Sequence, residues 1–209
     1  MSEKAAKIRT PNRVVVGITG ASGAVIGIRL LEALQELGLE RHLVVSKAGE
    51  ATIGLETKLK PKAVAEKSDY AYQIGDIAAP IASGSFKTEG MIVAPCSVRS
   101  WSEIATGVTT NLLTRAADVT LKERRPLILM VREAPLHLGH LRSLTQLAEM
   151  GAIILPPVPA FYAAPHMLSD VVDQLVGRAL DLLGYDWPLV RRWGEDLAKG
   201  RRKAPGPRS

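Results

Sequence analysis

The chain has 209 residues, of which 46% are hydrophobic and 23% charged, a composition typical of globular proteins that excludes wholesale disorder. A chain of this length is expected to form one domain, since domains usually take about 100–200 residues. The single cysteine excludes an internal disulfide and most thiolate zinc sites, and it fits a reducing compartment.

The net charge of +6 is concentrated at the two ends. Residues 1–13 carry a net +3 and residues 191–209 a net +5, which leaves −2 for the body of the chain. No basic stripe runs through the fold, so this distribution argues against a nucleic-acid partner. We interpret residues 1–13 as a basic N-terminal extension, 14–198 as the folded domain and 199–209 as a basic, solvated C-terminal tail.

The sequence contains no pattern that directs it to a membrane. The N-terminus lacks the apolar stretch of a signal peptide, and the longest uncharged runs are too short or too rich in proline to span a bilayer. We therefore expect a cytoplasmic protein that has no membrane partner.

Short apolar runs alternate with amphipathic stretches along the body of the chain, which predicts alternating strands and helices. The polar, lysine-rich residues 57–75 give no clear pattern. In chain order, the predicted elements are a strand Val14–Thr19, a helix Ala24–Leu37, a strand His42–Ser46, a helix Ala48–Glu56, a strand Met91–Pro95, a helix Trp101–Thr106, a helix Asn111–Glu123, a strand Leu127–Val131, a helix Leu138–Met150, a strand Ala152–Leu155, a helix Val171–Leu183 and a short helix Trp187–Ala198.

About five β-branched strands separated by helices predict an α/β fold with three layers, in which a mainly parallel sheet is covered on both faces. In such folds ligands bind outside the carboxyl ends of the strands, near a topological switch point. The residues that directly follow each strand are therefore the candidate functional residues.

The first strand is followed by the glycine-rich turn Gly20–Ala24. Such a turn lets the backbone approach a ligand, and the next helix offers its amide groups and positive dipole end to a phosphate. The glycines at positions 17, 20 and 23 do not match the G-x-G-x-x-G fingerprint, so a nicotinamide dinucleotide is weakly indicated. A tight strand–helix turn without a ligand is the alternative.

Polar residues also follow the other strands. Ser46 and Lys47 follow the second strand, and the third is followed by a segment of hydroxyl and thiol groups from Cys96 to Ser100. Arg132 and Glu133 follow the fourth strand. A purely structural sheet needs no such convergence, so the pattern favours a ligand site at this edge.

Three further features each allow a functional and a structural interpretation. Cys96 could be a nucleophile, but single buried cysteines are usually inert. His137 and His140 could bind a metal, but no third ligand is evident, and capping or packing roles are the alternative. Arg115 and Lys122 project from one side of their predicted helix and could bind an anion; a surface ion-pair ladder through Asp118 is the alternative.

Several segments together resemble the flavin prenyltransferases, historically called phenylacrylic or polyprenyl-hydroxybenzoate decarboxylases. The resemblance covers about Val14 to Tyr185, and it is specific because the matching motifs are long and follow one another in the same order along the chain. The matching segments are GASGA at 20–24, IASGS at 81–85, APCS at 94–97, IATG at 104–107, NLLTRAADV at 111–119, LKERRPL at 121–127, REAPLH at 132–137 and PPVPAFY at 156–162.

This resemblance implies a Rossmann-like (flavodoxin-like) domain and a homododecamer with active sites at subunit boundaries. The implied reaction joins the dimethylallyl group of dimethylallyl phosphate to N5 and C6 of reduced FMN. The prenylated FMN would then serve a partner decarboxylase, and no metal is expected.

The resemblance also implies roles for particular residues. Glu56 and Glu133 would be the acid–base carboxylates, and Lys122 would stabilise the charge that develops on the departing phosphate. The residues that would hold FMN are Gly20, Ala21, Ser22, Ser46, Ser97, Val98, Arg99, Ser100 and Arg132. The residues that would hold the prenyl phosphate are Arg115, Lys122, Tyr162 and Arg178.

One segment departs from the family pattern. Where many relatives carry Met-Arg/Lys-Thr-Leu, this chain has Val98, Arg99, Ser100 and Trp101, and the indole is larger than the aliphatic side chain it replaces. We expect Trp101 to alter packing near the site or a subunit interface. The other tryptophans, Trp187 and Trp193, are expected to anchor a helix.

Two other functions compete with prenyl transfer. A flavin-dependent cysteine decarboxylase of the same superfamily would carry Pro-Ala-Ser-Ala-Asn-Thr, but here Arg99 stands at the position of the asparagine. A flavin-binding carrier subunit would need no acid–base pair, whereas this chain has both Glu56 and Glu133 together with several cations that could bind a phosphate.

Overall fold

Six short strands form one parallel sheet in the computed structural model, which describes residues 12–194. The strand order is β3-β2-β1-β4-β5-β6, and every neighbouring pair is parallel. This strand order is the Rossmann order, and it confirms both the parallel sheet predicted from the residue pattern and the Rossmann-like fold that the family resemblance implies. The strands are β1 Arg13–Ile18, β2 Glu40–Val45, β3 Tyr70–Tyr72, β4 Gly90–Cys96, β5 Leu127–Val131 and β6 Ile153–Ile154.

Helices cover both faces of the sheet, and the sheet separates the hydrophobic core into two clusters. One cluster packs α1 and α7 against the sheet, and the other packs α4, α5 and α6 against the opposite face. The helices are α1 Ala24–Glu36, α2 Lys47–Glu56, α3 Pro61–Ala65, α4 Val98–Thr106, α5 Leu112–Lys122, α6 Leu138–Glu149 and α7 Leu168–Leu182, with 3-10 turns at Pro80–Ala82 and Phe161–Ala163.

Helix α1 lies unusually close to the sheet because Gly27 faces β4. A Cβ at this position would be 2.2 Å from the carbonyl oxygen of Ala94 and 2.8 Å from the Ile18 side chain. The helix begins after Gly23, whose φ of 109° lies in the left-handed region that favours glycine. Both glycines fix α1 directly behind the carboxyl ends of β1 and β4.

The switch point of the topology lies between β1 and β4, where the chain crosses from one half of the sheet to the other. The buried hydroxyl of Thr19 links the two strand ends. Its Oγ1 donates to the carbonyl oxygen of Pro95 at 2.7 Å and accepts from the amide of Ser97 at 2.8 Å. The residues that follow these strands are thereby held next to each other.

The structure corrects several predicted elements. Residues 57–75 contain the short helix α3 and the edge strand β3, neither of which the sequence pattern predicts. Helix α4 begins at Val98 instead of Trp101, and α7 begins at Leu168 instead of Val171. Strand β1 begins at Arg13 and not at Val14, so Arg13 belongs to the sheet and not to the N-terminal extension.

The predicted terminal helix Trp187–Ala198 is wrong over residues 187–194, which form turns, and its remaining residues lie outside the described range. Trp187 is buried there against Gly177 of α7. Gln174 binds both the backbone amide and the carbonyl of Arg191 at 2.9 and 3.0 Å. These contacts with α7 hold an irregular backbone. The tail 199–209 and residues 1–11 of the extension also lie outside the described range.

None of the helices between residues 12 and 194 combines the length and the apolar character needed to cross a membrane.

Candidate active site

A cavity of about 420 Å³ opens beside the carboxyl ends of β1, β2 and β4. Its volume falls within the range of about 300–1,000 Å³ that small-molecule sites occupy. Five of the residues predicted to hold FMN line it: Gly20, Ser46, Ser97, Arg99 and Ser100. The structure therefore brings these five together at the switch point.

Gly20 and Ser46 form the side of the cavity next to α2. A Cβ at Gly20 would be 2.4 Å from the Cβ of Ala48, so the turn after β1 can approach α2 this closely only with glycine. Ser46 is the N-cap of α2, and its Oγ accepts from the amide of Gly49 at 3.0 Å. The hydroxyl hydrogen of Ser46 remains available as a donor to a ligand.

The opposite wall is the first turn of α4. Ser97 is the N-cap residue, but its side chain makes no capping bond and lies 3.2 Å from the Ser100 hydroxyl instead. The first amide groups of the helix are thus left without a side-chain acceptor, at the positive end of the helix dipole. This turn offers an anion amide groups, two hydroxyls and the largely exposed guanidinium of Arg99.

The sequence analysis missed several residues of the cavity wall. Glu103 accepts hydrogen bonds from Arg99, Thr110 and Asn111. Burial raises the pKa of Glu103, but these hydrogen bonds more than offset burial and lower it below its ordinary value. The position of Asn111 before an apolar helical pattern is the signal of an N-cap, a role it fills toward Thr114. The other wall residues that were missed are Ala48, Ile74, Thr110 and Leu113, whereas Lys47 lies in the wall as its position after the second strand predicts.

Glu56 occupies the N-terminus of α1, where the glycine-rich turn predicts a phosphate. Its Oε2 accepts from the amides of Gly23 and Ala24 at 2.9 and 3.0 Å. Burial raises the pKa of Glu56, but the Ser22 hydroxyl, the two amides and the charge of Arg132 more than offset burial and hold it below its ordinary value. The amides at this helix end therefore bind a carboxylate of the chain itself.

Arg132 and Glu133 begin the loop 132–137 that follows β5. The amide of Arg132 donates to the carbonyl oxygen of Cys96 at 3.2 Å, which fixes the start of the loop beside the end of β4. Oε1 of Glu133 accepts from the amide of Ala134 at 3.0 Å. Since Arg132 also acts electrostatically on Glu56, the structure brings the predicted catalytic carboxylates to one sheet edge.

The other residues predicted to hold FMN lie around this cavity but not in its wall. Ala21 is buried, and Ser22 is exposed and bonded to Glu56. Val98 is partly buried and packs against the core on the α4 side. Ser22 and Arg132 are thus placed with the carboxylate of Glu56.

The four residues predicted to hold the prenyl phosphate are not brought together within one chain. Arg115 donates to Asp118 at 2.7 Å and to the carbonyl oxygen of Ala82 at 3.3 Å. Lys122, about 10 Å further along α5, donates to Glu123 at 2.6 Å. The Arg115–Asp118 pair of the alternative interpretation is therefore present, but Lys122 pairs with Glu123 and not with Asp118.

Tyr162 and Arg178 lie on other elements. Tyr162 is in the 3-10 turn Phe161–Ala163, and its ring meets the edge of Trp193 with centroids 5.2 Å apart. Arg178 is half-exposed on α7 and donates to Asp181. Trp193 is 73% exposed and does not anchor a helix, whereas Trp187 is buried and donates to Glu36 at 3.0 Å.

The surroundings of Cys96 and of His137 and His140 favour packing and capping roles for these residues. Cys96 is fully buried, and burial strongly raises the pKa of its thiol, which disfavours a nucleophilic thiolate. His137 uses Nδ1 to accept from the amides of Gly139 and His140, as the capping alternative predicts. Within residues 12–194, no three His, Cys, Asp or Glu side chains are grouped so that they could hold a metal ion.

Comparisons with known proteins identify the family. The Flavoprotein family profile matches residues 2–180. A flavin prenyltransferase UbiX from Escherichia coli K12 is 53% identical over 184 residues, which cover 87% of this chain and 97% of the relative. One from Thauera aromatica is 51% identical over 193 residues, 90% of this chain and 100% of the relative.

Solved structures agree with the sequence matches. A crystal structure of AnUbiX in complex with FMN and dimethylallyl pyrophosphate has a TM-score of 0.86 at 49% identity, covering 87% of this chain and 97% of that chain. The peptidyl-cysteine decarboxylase EpiD is only 14% identical with a TM-score of 0.59, so its likeness shows the shared fold alone. The chain belongs to the flavoprotein family and, within it, to the UbiX flavin prenyltransferases.

Proposed function

We propose that this protein transfers the dimethylallyl group of dimethylallyl phosphate to N5 and C6 of reduced FMN. The cavity at the switch point supports this proposal, because five of the residues predicted to hold FMN line it and the carboxylate of Glu56 lies at the same sheet edge, near the charge of Arg132. The family relationship supports the same reaction, since AnUbiX binds FMN together with a dimethylallyl ester.

The cavity wall fits FMN by the chemistry of its donors. The first turn of α4 and the Ser46 hydroxyl can donate to phosphate oxygens, and Arg99 adds a positive charge. Ile74 and Leu113 add apolar surface to the same cavity, which suits a flat aromatic ring. When bound, reduced FMN supplies the two nucleophilic positions, N5 and C6.

Glu56 is the candidate proton acceptor for the first bond. Its lowered pKa keeps the carboxylate ionised near neutral pH, and an ionised carboxylate can accept a proton. Ser22 donates its hydroxyl hydrogen to Glu56 from the turn after β1. We infer that Ser22 conducts a proton from the cavity side to Glu56, while the amides of Gly23 and Ala24 hold the carboxylate still.

Glu133 is the candidate proton relay for the second bond. It directly follows Arg132, whose charge acts on Glu56, and we propose that the two carboxylates serve one site. Glu133 is half-buried, and its Oε1 accepts from the amide of the following residue, which leaves its second oxygen available to a ligand. Groups of this kind typically accelerate proton transfer by about 10²–10⁴-fold.

The basic side chains and Tyr162 are proposed to hold the phosphate of dimethylallyl phosphate. When the bond between the allylic carbon and the phosphate oxygen breaks, the electron pair stays on the departing phosphate. Arg115, Lys122 and Arg178 would stabilise the departing charge. Arg115 and Lys122 lie about 10 Å apart along α5, whereas Arg178 lies on α7 and Tyr162 in a 3-10 turn. We therefore propose that the phosphate site is completed by neighbouring subunits. An Escherichia coli O157:H7 relative, described as a dodecameric FMN-dependent UbiX-like decarboxylase, supports such an assembly at 46% identity and a TM-score of 0.85, covering 87% of this chain and 98% of that chain.

The product is proposed to serve a decarboxylase that uses prenylated FMN, in the cytoplasm. The proposed reaction supports a downstream user, since its product is itself a modified cofactor. A carrier subunit would bind FMN equally well but leave it unmodified.

Anaerobic incubation with reduced FMN and dimethylallyl phosphate, followed by mass analysis of the released flavin, tests the proposed function. We expect the flavin to gain the mass of one dimethylallyl group less one hydrogen, a net C5H8, while inorganic phosphate is released. Parallel reactions with dimethylallyl pyrophosphate establish which ester is preferred. Bound FMN that keeps its original mass with both esters would refute prenyl transfer and support the carrier.

A further inference from the structure

Trp101 connects the wall of the cavity to helix α6. The indole is fully buried in α4, one residue after Ser100. Its Nε1 hydrogen is donated to Oγ of Ser143 at 3.1 Å, and that hydroxyl donates to the carbonyl oxygen of His140 at 2.9 Å. Trp101 therefore reaches the backbone of the first turn of α6 through a single hydroxyl.

Ring contacts continue from Trp101 to the N-cap of α6. The rings of Trp101 and His140 pack edge to face, with an angle of 85° between their planes and centroids 5.5 Å apart. The His140 ring stacks on that of His137, with centroids 3.6 Å apart. His137 caps α6 by accepting from the amides of Gly139 and His140 at 3.0 and 3.3 Å. The indole thus supports the residue at which loop 132–137 becomes a helix.

The orientation of the His140 ring depends on these ring contacts. Its Nδ1 is buried and has no hydrogen-bond partner among the residues that the structure describes. Because Nδ1 has no such partner, no hydrogen bond at this atom fixes the orientation of the ring. Trp101 on one side and His137 on the other therefore restrain the imidazole.

Loop 132–137 carries Arg132 and Glu133 between two anchored ends. At its start, the Arg132 amide is bonded to Cys96, and at its end His137 caps α6. A change in the cap would move the loop relative to Glu56, which Arg132 influences electrostatically. Misplacement of a reacting group by about 1 Å can reduce a rate by about 10²-fold.

We propose that Trp101 is a positioning residue for prenyl transfer, because it holds the α6 cap and thereby the loop that carries Arg132 and Glu133. This inference rests on the proposed function. It assigns a role to the large side chain that departs from the family pattern at this position.

Three variants test the role. Trp101→Phe removes the indole donor and part of the ring edge, and Ser143→Ala removes the acceptor but leaves the indole in place. Trp187→Phe is the matched control, because Trp187 is equally buried and also donates its indole hydrogen, but to Glu36 on the other face of the sheet. For each protein, we would measure kcat per FMN-binding site, the Kd for FMN, the KM for dimethylallyl phosphate and the Tm.

We expect Trp101→Phe to lower kcat by about ten-fold and Ser143→Ala to lower it less, with the Kd and KM changed by no more than about two-fold. Trp187→Phe should lower the Tm and leave kcat unchanged. Unchanged kcat in both α4–α6 variants would overturn the role, as would a loss of kcat in all three variants that follows the loss of Tm. A wild-type protein that makes no prenylated FMN would refute the proposed function itself, and the positioning role with it.

Discussion

Glu56 and Glu133 lie at the same sheet edge but in different surroundings. Glu56 accepts two backbone amides and the Ser22 hydroxyl, which hold its pKa below the ordinary value despite burial. The carboxylate contributes to stability above the pKa of the unfolded chain, about 4.3, and this contribution is lost as the pH falls through the lower pKa of the folded state. Near neutral pH, Glu56 is therefore ionised and can accept a proton, and its lowered pKa makes it a weaker base than an unperturbed glutamate.

Glu133→Gln is expected to bind FMN normally and to make prenylated FMN about 10²–10⁴-fold more slowly, because the amide cannot relay a proton. Single-turnover kinetics measure the change. Glu149→Gln, the same substitution on the exposed end of α6, serves as the control and should keep wild-type turnover. Equal turnover in the two variants would remove Glu133 from the mechanism.

Cys96→Ser is expected to fold and to retain substantial activity, because a buried thiol with a raised pKa supplies no thiolate. The hydroxyl replaces a thiol in an apolar core, so stability should fall by about 1–3 kcal/mol, which thermal unfolding detects. Cys96→Ala separates this polar cost from the loss of sulfur. Complete loss of product in both variants, with FMN still bound, would restore a catalytic role for the thiol.

At the scale of elements, the pattern of apolar residues predicts the buried strands and the long helices, since their period is set by contact with the core. It fails where tertiary contacts decide the backbone. Strand β3 is a three-residue edge in a polar stretch, and its pairing with β2 cannot be read from its own residues. The predicted helix after Trp187 is replaced by turns, because Gln174 binds the backbone of Arg191.

The close packing of α1 on β4 gives a prediction for Gly27. Gly27→Ala places a Cβ 2.2 Å from a backbone oxygen that cannot turn aside, so α1 must shift, and stability should fall by about 1–3 kcal/mol. Gly54→Ala in α2 is the control, because its Cβ would have no neighbour within 4 Å, and it should gain about 0.4–1 kcal/mol. Thermal unfolding that moves both variants in the same direction would contradict the packing argument.

At the scale of the whole molecule, the two halves of the proposed site differ in how they could be predicted. The FMN residues follow strands, and the parallel sheet brings strand ends together, so the sequence pattern locates Gly20, Ser46 and Ser97 at one cavity. The residues proposed for the phosphate lie on α5, α7 and a 3-10 turn. These residues do not come together within a single chain. The pattern of strands and helices in one chain therefore could not predict a shared phosphate site.

Arg178→Lys tests whether the phosphate site extends over the assembly. In one chain, Arg178 forms a surface pair with Asp181, worth only about 0.2–0.5 kcal/mol. If its guanidinium also binds the phosphate, affinity for dimethylallyl phosphate should weaken by about 1.5–3 kcal/mol, while FMN affinity and the mass of the assembly stay unchanged. Arg142→Lys on exposed α6 is the control. Titrations that give equal affinities in both variants would leave Arg178 with only its structural pair.

Prenyl transfer of the proposed kind forms two bonds between one dimethylallyl group and reduced FMN. The most direct measurement is the NMR spectrum of the flavin released after anaerobic turnover with isotopically labelled dimethylallyl phosphate. We expect couplings that connect the labelled carbons to both N5 and C6 of the flavin. Unmodified FMN, or a product joined at only one of these positions after complete turnover, would contradict it.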